Sequence, residues 1–111
     1  MRIVYDKLVR DRIPDIIRRD GSACEVATMA EGAYRQALRE KLVEEASEAA
    51  EADPGHLVVE LADLYEVMDT LMASYGVSSE DVRAEQERRR SARGGFAQRL
   101  RLLWTESDAQ E

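Results

Sequence analysis

At 111 residues the chain has the length of one domain, near the lower limit for a self-sufficient core. A composition of 44% hydrophobic and 35% charged residues excludes a disordered chain, and a net charge of −7 excludes generic binding to the phosphate backbone of a nucleic acid polymer. The lone Cys24 cannot form an internal disulfide, no apolar run approaches membrane-spanning length, and the first residues lack a signal-peptide apolar core, so a cytoplasmic protein without membrane contact is expected.

In chain order, Leu8, Val9, Ile13, Ile16 and Ile17 fit a short helical stripe. Pro14 suits a first turn, which predicts a helix over 13–19, closed by Asp20-Gly21. Residues 23–29 alternate weakly and read as an extended segment or short strand, whose only comparable partner is 100–105. From Glu31 to Ala52 the pattern is strongly helical, with Tyr34, Leu38, Leu42, Ala46 and Ala49 at spacings of three or four. Asp53-Pro54-Gly55 interrupts it, Pro54 ending the ladder and Gly55 expected to take the cap.

A second long helix is predicted from His56 to Tyr75, with a stripe of Leu57, Leu61, Leu64, Met68, Leu71 and Met72. Gly76 closes it. Ser78 or Ser79 ahead of Glu80-Asp81 starts a third helix to about Ala92, polar almost all round and therefore solvent-facing or paired with another subunit. Gly94-Gly95 stops that helix, and the tail after Glu106 is polar. The result is a mainly all-α bundle built on an antiparallel helix hairpin, in a single domain spanning 1–111. A lone hairpin cannot bury both apolar faces, so the rest of the chain or a second subunit has to complete the bundle.

The informative residues lie in the hairpin. On a helix turning about 100° per residue, Leu38, Leu42 and Ala49 fall within about 40° of one another, and Glu45 lies on the same stripe, about 20° from Leu38. Glu48 lies one turn later, about 60° to the side. On the second helix Glu60 sits at the shoulder of the stripe and Asp63 just beyond. A carboxylate on an apolar stripe is costly unless paired or coordinated to a metal. Any one glutamate of an acidic chain belongs by default on a solvated face. Here two i, i+3 pairs flank one tight turn, so all four carboxylates can converge if the hairpin folds on itself. Such a set calls for a divalent cation, and hard oxygen ligands select Mg²⁺, with Mn²⁺ as a substitute. His56, solitary beside the turn, reads as a surface residue.

Glu44-Glu45-Ala46-Ser47-Glu48 followed by Glu60-Leu61-Ala62-Asp63 resembles the E-E-x-x-E … E-x-x-D signature of the MazG-like all-α nucleoside-triphosphate pyrophosphohydrolase superfamily. That superfamily includes MazG, the dCTP and dUTP pyrophosphatases and phosphoribosyl-ATP pyrophosphohydrolase. Tyr5-Asp6-Lys7-Leu8-Val9-Arg10-Asp11-Arg12-Ile13-Pro14 and Arg93-Gly94-Gly95-Phe96 are similar to the two ends of a house-cleaning branch, with Arg12 in place of the usual lysine. The resemblance runs from Tyr5 to about Leu103.

It implies hydrolysis of a nucleoside triphosphate between the α and β phosphates, giving a monophosphate and pyrophosphate. Glu45, Glu48, Glu60 and Asp63 would be the metal ligands, and metal-assisted attack of water on phosphorus suits such residues. Glu44 either orients or deprotonates the water or is a surface glutamate. Lys7, Arg10 and Arg12 either contact phosphate or pair with the acidic helices, and a Lys–Arg pair at i, i+3 can serve one anion. Arg93 with Gly94-Gly95 offers either a further phosphate contact or a helix cap and loop. Phe96, Tyr34 and Trp104 read first as core residues and second as base-stacking groups. A homodimer is expected. Two other readings stand beside the house-cleaning one: phosphoribosyl-ATP pyrophosphohydrolase of histidine biosynthesis, and a catalytically silent helical interaction module.

Overall fold

The computed structural model describes residues 1–108, which form four helices and no strand. They are α1 (Ile13–Arg19), α2 (Glu31–Glu51), α3 (Leu57–Ser74) and α4 (Ser79–Arg93), with a 3₁₀ turn at Pro54–His56 between α2 and α3. Two compact units make up the chain, Met1–Ser78 and Ser79–Glu111. No helix among the described residues is long and apolar enough to cross a membrane.

The helix ends follow local chemistry. Pro14 occupies the first turn of α1, where its missing N–H costs nothing. Gly21 (φ 91°) and Gly76 (φ 67°) take the left-handed position after α1 and α3. Each sits in a paired cap: Ser22 N–H donates to the Ile17 carbonyl and Gly21 N–H to Arg18, while Val77 N–H donates to Met72 and Gly76 N–H to Ala73. Gly94 (φ 83°) does the same work after α4, donating to the Arg90 carbonyl at 2.7 Å, which favours the cap reading of Gly94-Gly95.

Gly55 is different. It has no positive φ and lies inside the 3₁₀ turn, so it is not the expected cap. Ala52 and Asp53 leave α2 in extended conformation (ψ 145° and 151°), as a residue before proline prefers, and the Asp53 carbonyl accepts from His56 N–H at 2.9 Å.

The strand expected at 23–29 does not form, nor does one at 100–105. The two segments belong to different units, and a lone extended segment with no ladder partner is not a stable strand.

Within the first unit α2 and α3 lie antiparallel, and the core is the seam between them. Leu38 (3% exposed) and Val67 (7%) are its buried apolar residues, and Glu45 (9%) is buried with them. The inner face of α3 runs through Glu60, Asp63, Leu64, Val67 and Leu71. Of the expected stripe, Leu64, Met68, Leu71 and Met72 are half-buried. Leu57 and Leu61 are exposed, and the face is rotated toward the acidic residues.

Arg35 and Arg39 lock the open end of the hairpin. The Arg35 guanidinium donates to the Ser74 carbonyl, satisfying an end of α3, and stacks over the Tyr75 ring at 4.5 Å. Arg39 donates to the Tyr75 hydroxyl at 3.1 and 3.2 Å. In the second unit α4 is exposed along its whole length, as its polar sequence predicts. Phe96 (98%) and Trp104 (72%) are exposed, so neither is the core residue expected of it, whereas Tyr34 is half-buried.

Candidate active site

At the closed end of the hairpin, α2 presents Glu44, Glu45 and Glu48, and α3 presents Glu60 and Asp63 from its first two turns. The tight Asp53–His56 connection sets the register that places them side by side. One carboxylate oxygen from each of Glu45, Glu60 and Asp63 lies within 4.8 Å of the others. Glu48 is outside this trio, exposed beside Glu45, and its charge acts on the Glu45 carboxyl.

Two oxygens in the cluster, Glu45 Oε2 and Glu60 Oε2, are buried with no hydrogen-bond partner. Burial raises the pKa of Glu45 above the ordinary carboxylate range, and the charges of Glu48 and Asp63 push the same way, against Lys41. Unpartnered buried acceptors facing two other acids form an incomplete site. Hard oxygen donors of this kind fit Mg²⁺ or Mn²⁺, which would supply the missing partner of both orphaned oxygens.

Cations surround the cluster without filling it. Lys7 Nζ reaches Glu44 Oε2 at 3.2 Å, and Arg10 Nη2 donates to Asp63 Oδ1 at 2.8 Å. Lys41 lies 3.3 Å from Glu44 and 3.8 Å from Glu45. Five carboxylates (Glu44, Glu45, Glu48, Glu60, Asp63) against three cations (Lys7, Arg10, Lys41) leave an excess of two negative charges, the charge of one divalent ion. The hydrogen bond from Lys7, then the hydrogen bond and charge of Lys41, hold the Glu44 carboxyl below its usual range. Glu44 is therefore an ionised group at the rim of the cluster.

Both roles considered for the basic segment thus bear on the same place, since Lys7 and Arg10 pair with the acidic helices at the cluster itself. Arg12 is exposed at the N-cap of α1, and Arg93 ends α4 in the second unit. Lys41 was not among the site residues expected from sequence. Its spacing of three and four residues before Glu44 and Glu45 is the signal that identifies it, because such pairs share a helical face.

A family model described as phosphoribosyl-ATP pyrophosphohydrolase matches residues 16–90, more than half of the chain and all of the hairpin. No curated protein and no solved structure matches it.

Proposed function

We propose, from the premise that this chain belongs to the phosphoribosyl-ATP pyrophosphohydrolase family within the MazG-like all-α superfamily, that it hydrolyses a nucleoside triphosphate between the α and β phosphates. Membership makes it a pyrophosphohydrolase; the substrate and the residue roles are our reading. The observation that carries this reading is Glu45, buried in the hairpin seam with an unpartnered oxygen beside Glu60 and Asp63.

In this reading Glu45, Glu60 and Asp63 hold a divalent cation, with Glu48 completing the set. Bound there, Mg²⁺ would neutralise phosphate charge and lower the pKa of water. Glu44, whose carboxyl Lys7 and Lys41 favour in its ionised form, would accept a hydrogen bond from the attacking water and align it. Lys7, Arg10 and Arg12 supply phosphate donors from one short segment, Arg10 with a planar fork suited to two phosphate oxygens. Arg93 is assigned to phosphate by the sequence resemblance alone.

Two substrate classes share this bond. The terminal segments 5–14 and 93–96 resemble the house-cleaning branch, which supports a nucleotide-pool role on canonical or damaged nucleotides. The family match favours phosphoribosyl-ATP, itself a triphosphate with an enlarged base. Pyrophosphate release from a panel of NTPs, dNTPs, damaged dNTPs and phosphoribosyl-ATP separates them, with Mg²⁺ or Mn²⁺ and Glu45→Gln as the blank. Turnover of phosphoribosyl-ATP alone would establish the second reading. No release from any of them would leave the silent interaction module.

We further propose that the working form is a homodimer. Supporting this, α3 is apolar round most of its circumference, while its main packing among the described elements is on α2 and the adjoining turn. Leu57, Leu61 and Tyr65 remain exposed along one side of it.

A further inference from the structure

The three cations at the cluster are not equivalent. Lys41 is mostly buried (side chain 20% exposed) and stands on the same helix as Glu44 and Glu45, so it is a fixed part of the site. Arg10 is 56% exposed and reaches Asp63 from an irregular segment 53 positions away in sequence. Asp63 is thereby engaged twice. Its Oδ1 accepts from Arg10 at 2.8 Å, and its carboxylate is one of the three that converge. A guanidinium this close to a ligand carboxylate opposes a divalent cation by simple like-charge repulsion. A pair with both partners more than a third exposed is also weak enough to exchange.

We infer that Arg10 is a resident counter-ion of the cluster. It holds Asp63 in the metal-free protein, yields that carboxylate to the arriving divalent cation, and is thereby released toward a substrate phosphate. This rests on the metal-site reading proposed above. The Lys7–Glu44 pair at 3.2 Å is the second tether of the same segment. Metal loading therefore loosens residues 7–12 while leaving them anchored at Lys7, beside the place where the phosphates arrive. Metal and substrate binding become coupled through one side chain.

The test is a Mn²⁺ titration followed by electron paramagnetic resonance, without nucleotide, on wild type, Arg10→Gln, Arg10→Lys and Arg19→Gln. Arg19 is an exposed arginine in the last turn of α1 and controls for net charge. Arg10→Gln is expected to bind Mn²⁺ roughly two- to fivefold tighter, the range set by a part-exposed ion pair. Arg10→Lys should restore wild-type affinity, and Arg19→Gln should leave it unchanged. Hydrogen exchange at residues 7–12 of wild type should accelerate when Mn²⁺ is added alone. Equal or weaker binding by Arg10→Gln overturns the inference, weaker binding making Arg10 an orienting partner of a bound ligand. Equal tightening by Arg19→Gln overturns it too. Absence of Mn²⁺ binding by wild type removes the metal-site reading itself, and the inference with it.

Discussion

Replacing Glu45 by glutamine removes a charge from the seam of the hairpin, and in metal-free protein it should raise the melting temperature. Glu45 is 9% exposed, its Oε2 has no partner among the described residues, and Lys41 lies 3.8 Å from its Oε1. A buried, unsatisfied polar group costs about 1–3 kcal/mol, more when charged. The Lys41 pair offsets up to about 1 kcal/mol of that. Glutamine keeps the shape but still buries an amide, so the net gain is about 1 kcal/mol, or roughly 4–8 °C for a unit of this size.

The same burial predicts a pH dependence of matching sign. Burial raises the folded pKa of Glu45, so the folded state holds its proton more tightly than the unfolded one. Wild type therefore loses stability relative to Glu45→Gln as pH rises past the unfolded value of about 4.3, and the gap is largest above the raised pKa. Saturating Mg²⁺ should reverse the order. Wild type gains about 2.7 kcal/mol at a metal concentration of 100 Kd, and the variant little of it. Scanning calorimetry at pH 5 and 8, with EDTA or with Mg²⁺, reads all four conditions. A Glu45→Gln protein that melts below wild type in EDTA at pH 8, or gains as much from Mg²⁺, would refute the reasoning.

Asp63→Asn and Glu60→Gln should each lower Mg²⁺-dependent pyrophosphate release at least about 100-fold, and Glu48→Gln only about tenfold, because Glu48 lies outside the converging trio. Equal losses in initial-rate assays would put Glu48 on the same footing as the other three. Gly76→Ala forces a Cβ into a left-handed position at φ 67° and should cost about 1 kcal/mol, whereas Gly55→Ala, with nothing within 4 Å and no positive φ, should stay within about 0.5 kcal/mol of wild type. Thermal melts compare the two directly. The Leu57→Lys, Leu61→Lys double variant should sediment as a monomer at concentrations where wild type is a dimer; a monomeric wild type would refute the assembly.

Helix existence and most boundaries were legible because punctuation residues act locally. Pro14 fixes its own φ, and Gly21, Gly76 and Gly94 each permit the left-handed turn that ends a helix. Gly55 was misread for the same reason: a glycine after a helix suggests a cap, but Pro54 had already forced Asp53 into an extended conformation. The strand at 23–29 failed on a non-local requirement, a ladder partner, which weak alternation cannot guarantee.

The orientation of α3 was harder, and there the acids were the better guide. With apolar residues round most of the helix, hydrophobicity alone does not choose an inner face. The densest stripe, through Leu57 and Leu61, was the plausible choice, yet both residues are exposed. The face that packs on α2 keeps Leu64, Met68 and Leu71 of that stripe and adds Glu60, Asp63 and Val67. Rotation of the helix by this amount moves Glu60 and Asp63 from the edge of the seam into it, opposite a glutamate already inside. A helix free to bury leucine that buries Glu60 Oε2 without a partner forgoes stability there. In the proposed reading a cation held between the two helices would offset that loss, turning three mutually repelling carboxylates into ligands and pinning the hairpin at its closed end. The same rotation leaves Leu57, Leu61 and Tyr65 on the outside of α3, so the exposed apolar side and the half-buried acidic side are two results of one packing choice.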